Sequence, residues 1–187
     1  MLILLNKPYR VMCQFTDPDD RVTLADYINT PNVYPAGRLD YDSEGLLALT
    51  DDGKLQARIS QPRAKTLKRY WAQVEGDVSD EQLKTLVRGV PLRDGPARAV
   101  ASQRMEPPAD LWERDPPIRY RKNVADQWME ITLSEGKNRQ VRRMTAAVGL
   151  PTLRLIRYSI GPWTLAGLGP GESRTLSSDE AWRALGA

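Results

Sequence analysis

The sequence predicts an α+β fold built on a mostly antiparallel sheet. Three observations carry this expectation. Short apolar or alternating runs of strand length recur along the chain, with only a few amphipathic stretches of helical period between them. Their order never settles into the regular strand–helix–strand repeat that a parallel sheet requires. The length, 187 residues, suits one large domain or two small subdomains sharing a sheet.

The elements follow in order. Residues 1–6 carry the apolar run Leu2-Ile3-Leu4-Leu5 and stop before Pro8, which predicts a short buried strand. A turn-rich stretch around Asp17-Pro18-Asp19-Asp20 follows, and 23–28 reads as a short helix. The run Leu46-Leu47-Ala48-Leu49 makes 46–50 a strand, and 53–60 reads as a helix that ends before Pro62. Residues 66–75 alternate, with Lys68, Tyr70, Ala72 and Val74 on one face. Ser79 and Gln82 form a capping-box pair that opens a helix with an apolar stripe of Leu83, Leu86, Val87 and Val90. Residues 97–106 are expected as a strand and 107–122, rich in Pro and Arg, as a surface loop. Strand 127–133, turn 134–137, helix 138–148 (ended by Gly149 and Pro151) and strand 152–160 complete the middle of the chain. Ser177 and Glu180 open a last short helix containing Trp182.

Composition narrows the chemistry. There is no histidine and one cysteine, Cys13. Histidine-based triads, histidine general bases and most zinc or non-haem iron sites are therefore excluded. An internal disulfide is impossible, which favours the cytoplasm. No apolar run approaches the roughly 20 residues of a membrane span, so no membrane association is expected. The net charge is only +3, yet the six cations Lys137, Arg139, Arg142, Arg143, Arg154 and Arg157 lie between 136 and 158 with no acid among them. Such a one-sign stretch points to a polyanionic partner or to a solvated basic helix and strand; charge alone does not choose.

The segment GRLDYDSEGLLALTDDG at 37–53 is the most informative in the chain. Asp40 stands in an acidic turn that feeds an apolar strand, so a rigid element can hold its carboxylate at a fixed place. A turn Asp beside Gly and Ser usually satisfies local amides, and Asp40 alone would be read that way. Arg142 changes the balance. Next to Val141, it stands at the edge of the buried helix face, where an Arg is costly unless paired. A carboxylate partner would be kept ionised by it. Arg139 lies three residues before Arg142 and four before Arg143, so one helix can present several cations to phosphate. Tyr70, on the inward face of its strand, is either core or a stacking surface for a flipped base. Lys7, at the end of the first strand, is a phosphate contact or an ordinary lysine.

Four segments together resemble one family: LLNKPYRVMCQFTD at 4–17, GRLDYDSEGLLALTDDG at 37–53, KRYWAQVEG at 68–76 and EGKNRQVRRMTAAVGLPTLRLIR at 135–157. In this order they look like the bacterial ribosomal pseudouridine synthases. NKPY with QFTD and PPIRYRK at 116–122 look most like the type E large-subunit branch. The resemblance implies a catalytic Asp40, a Tyr70 that stacks on the target uracil, an Arg142 that pairs with Asp40, and an Arg38 that contacts the nucleotide backbone. It implies a long, bent, mostly antiparallel mixed sheet in two subdomains with a central cleft, flanked by helices. Residues 1–187 are expected to form one catalytic domain with no S4-like RNA-binding domain before it. The implied substrate is a uridine of 23S ribosomal RNA and the implied state is a monomer. The isomerisation needs neither cofactor nor metal. Lys7, Arg38, Lys137, Arg139, Arg143, Arg154 and Arg157 are the expected RNA contacts. The competing readings are a non-catalytic rRNA-binding or assembly factor using the same basic face, and a glycosidase. The crowding of Asp42 and Glu44 with Asp40 speaks against the second, which needs two carboxylates across a pocket.

Overall fold

The computed structural model describes all residues from Met1 to Ala187. In chain order it has strand β1 (Leu2–Lys7), strand β2 (Tyr34–Pro35), strand β3 (Glu44–Thr50), helix α1 (Gly53–Ser60), strand β4 (Lys68–Glu75), helix α2 (Asp80–Arg88) and strands β5 (Val90–Leu92), β6 (Gly95–Ala97), β7 (Ala101–Met105) and β8 (Asp126–Leu133). Helix α3 (Gln140–Ala147), strands β9 (Thr152–Ile160), β10 (Trp163–Thr164) and β11 (Ser173–Leu176) and helix α4 (Ser178–Ala184) follow. This is the expected α+β fold. The pairs β1–β11, β1–β3, β2–β3, β9–β10, β4–β8 and β7–β8 are all antiparallel.

The chain divides into two compact units, Met1–Thr66 with Arg157–Ala187, and Leu67–Ile156. In the first, the strand order is β11-β1-β3 followed by the end of β9, and all residues of β1 and β3 are buried. Ile3, Leu5, Leu47 and Leu49 pack with Val11, Leu24 and Leu39 in one apolar cluster. Asp52 ties two helices to this unit. Its carboxylate caps α1 by accepting from Lys54 N (2.9 Å) and Leu55 N (3.1 Å), and it also accepts from Trp182 Nε1 of α4 (3.0 Å). The Trp182 hydrogen bond, with those of Leu55 and Lys54, holds the Asp52 carboxyl below its ordinary range.

In the second unit the order is β4-β8-β7, and β4 buries the face foreseen from its alternation: Lys68, Tyr70, Ala72 and Val74. Tyr70, Ala72 and Val74 pack with Met129, Ile131 and Leu133 of β8 and with Val141 and Met144 of α3.

Three expectations need correction. Residues 90–97 form the β5–β6 hairpin, and the following strand begins only at Ala101. Pro91 and Pro96 hide the hairpin from a pattern reading, yet they face each other in a two-stranded ribbon, where a missing N–H is tolerated. Val87 is 38% exposed and lies off the α2 stripe, leaving Leu86 as that helix's buried anchor. Helix α3 begins at Gln140 because Arg139 adopts φ +50°, outside the helical region.

Candidate active site

The Asp40 loop is anchored by its neighbours. Leu39 is buried in the apolar cluster of the first unit, while Arg38 is exposed and Asp40 half-buried. Leu39 thus anchors the loop in that core while its two neighbours are left more accessible. Ser43 N donates to Asp40 O at 3.0 Å and closes the acidic turn just before β3. Arg10 N donates to Tyr41 O at 2.9 Å and fastens the turn to the loop after β1. The Arg21 guanidinium lies 5.6 Å from the Tyr41 ring and is itself held by both oxygens of Asp17. That pairing keeps the Asp17 carboxyl at about 2.

Two buried cations belong to the same unit. Lys7 has no exposed surface, and its Nζ donates to Pro8 O (2.9 Å) and Val11 O (3.0 Å). Burial lowers its pKa to about 8, against the opposing pull of the Cys13 thiol and the carboxylates of Glu44, Asp40 and Asp42. Arg157 is 3% exposed. Its Nε donates to Leu46 O (2.8 Å) and its Nη1 to Arg38 O (3.2 Å). Each is enclosed and donates to backbone carbonyls, so neither presents an exposed cation to a phosphate. A cavity of about 280 Å³ beside the loop is lined by Cys13, Gln14, Pro35, Gly37 and Arg38.

The remaining predicted residues lie in the second unit. Tyr70 is 7% exposed and sits in the apolar cluster. Arg142 is half-buried on α3, one residue from buried Val141, as the sequence suggested. Gln140 orders the approach to this helix: its amide oxygen accepts from Lys137 N (2.9 Å) and its nitrogen donates to Glu135 Oε1 (2.8 Å). Arg143 is held by Asp94 through two bonds, 2.6 and 3.1 Å, and donates from Nε to Asn138 O. Lys137 Nζ reaches Pro96 O at 3.3 Å. These two cations therefore fasten the β5–β6 hairpin to the start of α3. Arg154 is 6% exposed, lies over the Trp112 ring and donates to Trp112 O. As with Lys7 and Arg157, this corrects the expectation of an RNA contact, because a buried guanidinium cannot meet a phosphate without being uncovered. Arg38 and Arg139 alone among the expected contacts are exposed.

Sequence reasoning missed the structural task of Arg157. The signal was a basic residue directly after the apolar pair Leu155-Ile156 within a strand, where an internal partner is needed if the side chain is buried. It also passed over Arg119, Arg121 and Lys122, which are exposed around a Tyr120 that is 72% exposed.

The sequence pattern of the RNA pseudouridylate synthases matches residues 1–147. A ribosomal large subunit pseudouridine synthase E of Xanthomonas campestris pv. campestris is 58% identical over 177 residues, covering 93% of this chain and 94% of the relative. Its namesake in Vibrio vulnificus is 53% identical over 176 residues, covering 94% of this chain and 75% of the relative. A crystal structure of a pseudouridylate synthase superposes with a TM-score of 0.76 at 28% identity, covering 98% of this chain and 73% of that one.

Proposed function

The chain belongs to the RNA pseudouridylate synthase family, and from that premise we propose that it converts one uridine of 23S ribosomal RNA to pseudouridine. The observation that carries this reading is the 58% identity, across 93% of the chain, to a relative named for the large ribosomal subunit. The protein is an isomerase, and the reaction is an intramolecular transfer. The N1–C1′ bond of the nucleotide breaks, the uracil turns, C5 bonds to C1′, the C5 proton leaves to solvent, and N1 takes up a proton from solvent.

Asp40 is the proposed reacting carboxylate, acting at C1′ by attack or by stabilising an oxocarbenium-like centre, or on a sugar proton. Its support is the family resemblance of GRLD together with a loop fixed by Leu39, Ser43 and Arg10. Tyr70 is proposed to stack on the extruded base, and Arg142 to keep Asp40 ionised and oriented; both roles rest on the resemblance of their segments. The target base must leave a folded RNA, so an enzyme of this kind needs both a base-stacking group and exposed cations for phosphate. We assign the phosphate contacts to Arg38 and Arg139, with Arg119, Arg121 and Lys122 as additional candidates. A purely RNA-binding role draws its strength from the basic stretch 136–158, and the engagement of Arg143, Arg154 and Arg157 within the protein weakens it. No helix is long and apolar enough to cross a membrane, and we take the protein to work as a cytoplasmic monomer.

Pseudouridine mapping of ribosomal RNA from cells lacking the protein tests the assignment. One site is expected to vanish from 23S RNA. A site lost from 16S RNA or tRNA, with 23S RNA unchanged, would contradict it.

A further inference from the structure

We propose that Arg157 is a positioning residue for the reaction, a clamp that fixes the backbone on both sides of Asp40. The inference rests on Asp40 being the reacting carboxylate. Three observations point to it. The first is the choice of acceptors. Nε donates to Leu46 O at 2.8 Å and Nη1 to Arg38 O at 3.2 Å, so one planar guanidinium joins a carbonyl two residues before Asp40 to one six residues after it. Between these two anchors lie Asp40, the acidic turn and the first residues of β3. A rigid planar fork holds both carbonyls from two separate nitrogens at a set separation, which a flexible point-like ammonium does not fix.

The second observation is close approach. Gly45, at φ +113°, stands where an added Cβ would come within 2.4 Å of Arg157 O and 2.6 Å of Arg157 N. The backbone of Arg157 thus presses on the start of β3, just after the turn that its side chain spans. The third is an unmet donor: Arg157 Nη2 is buried and has no hydrogen-bond partner. Burying a charged group with a donor unsatisfied is costly, and an apolar residue of similar length would fill the space without that cost. A side chain kept there only for stability is poorly explained by this arrangement. One kept to set the Asp40 turn is well explained, because displacement of a reacting group by about 1 Å is worth roughly 10²-fold in rate.

The test compares Arg157→Met and Arg157→Lys with wild type for three quantities: the single-turnover rate on 23S RNA, the dissociation constant for that RNA, and the melting temperature. Asp52→Ala, which loosens α1 and α4 of the same unit without touching the Asp40 turn, serves as the stability control. Arg157→Met should lower the single-turnover rate by roughly 10²-fold while the dissociation constant moves by less than about threefold. Arg157→Lys, whose flexible ammonium lacks the planar fork that reaches the two carbonyls from separate nitrogens, should lose about tenfold or more. Asp52→Ala should melt earlier yet react at close to the wild-type rate. The proposal is overturned if a folded Arg157→Met reacts within about threefold of wild type, or if Asp52→Ala slows as much for an equal drop in melting temperature. Should Arg157→Met fail to fold, Arg157→Lys decides by the same criterion. Asp40→Asn in the same assay separates the two readings. An active Asp40→Asn removes the premise, whereas an inactive one beside a fully active Arg157 variant removes only the clamp.

Discussion

Lys7 carries a charge that the folded protein disfavours, because burial lowers its pKa from 10.5 to about 8. Below pH 8 the ammonium is charged in both folded and unfolded chains, and folding bears the full cost of enclosing it. Between pH 8 and 10.5 the folded chain releases the proton while the unfolded chain keeps it, so stability rises with pH. The rise from this group amounts to about 3 kcal/mol over the window. Urea midpoints at pH 7.5 and 10 should therefore diverge more in wild type than in Lys7→Met. Equal pH dependence in the two proteins would show that Lys7 is not the source. A second residue-scale expectation concerns Arg142, which we read as orienting Asp40. Arg142→Lys keeps the charge but loses the planar fork, so RNA binding should survive while the single-turnover rate falls by roughly 10²-fold. A rate within about threefold of wild type would take Arg142 out of the reaction. The identities of Asp40, Tyr70 and Arg142 were legible as candidates because their types and surroundings are local. The fates of Lys7 and Arg157 were not, since only the folded chain reveals which carbonyls take their protons.

At the scale of elements, β3 and the turn before it do most to place the candidate carboxylate. Gly45 allows β9 to lie against that turn, and Ala at this position meets both a φ of +113° and a Cβ 2.4 Å from Arg157 O. Gly45→Ala should cost about 3 kcal/mol or more in chemical denaturation, combining backbone strain with a forced shift of the strand. A loss under about 1 kcal/mol would mean that the contact relaxes freely. Helices α2 and α4 could be read from capping residues three positions apart, because those bonds are local: Ser79 with Gln82 and Ser177 with Glu180. The hairpin β5–β6 and the short strands β2, β10 and β11 were not legible. They are only two to four residues long and are defined by their partners: Tyr34 pairs with Thr50, and Leu176 with Leu2. No alternation can develop over such lengths.

For the whole molecule, the fold class followed from the order of elements, but the RNA-facing surface did not follow from the charge count. The six cations between 136 and 158 look alike in sequence, yet Arg154 and Arg157 are buried, Arg143 is paired with Asp94, and Lys137 reaches Pro96. Salt titration of RNA binding should expose this partition. Arg38→Gln and Arg139→Gln should each flatten the log–log slope by about one unit, while Arg154→Gln should leave it unchanged. A reduced slope for a stable Arg154→Gln, with no change for the other two, would reverse the assignment of the surface. Catalysis is the larger claim, and tritium release from C5-labelled uridine in 23S RNA addresses it most directly. Wild-type protein should release tritium in proportion to pseudouridine formed, and Asp40→Asn should bind the RNA with nearly wild-type affinity but release none. Release by Asp40→Asn at the wild-type rate would contradict that claim.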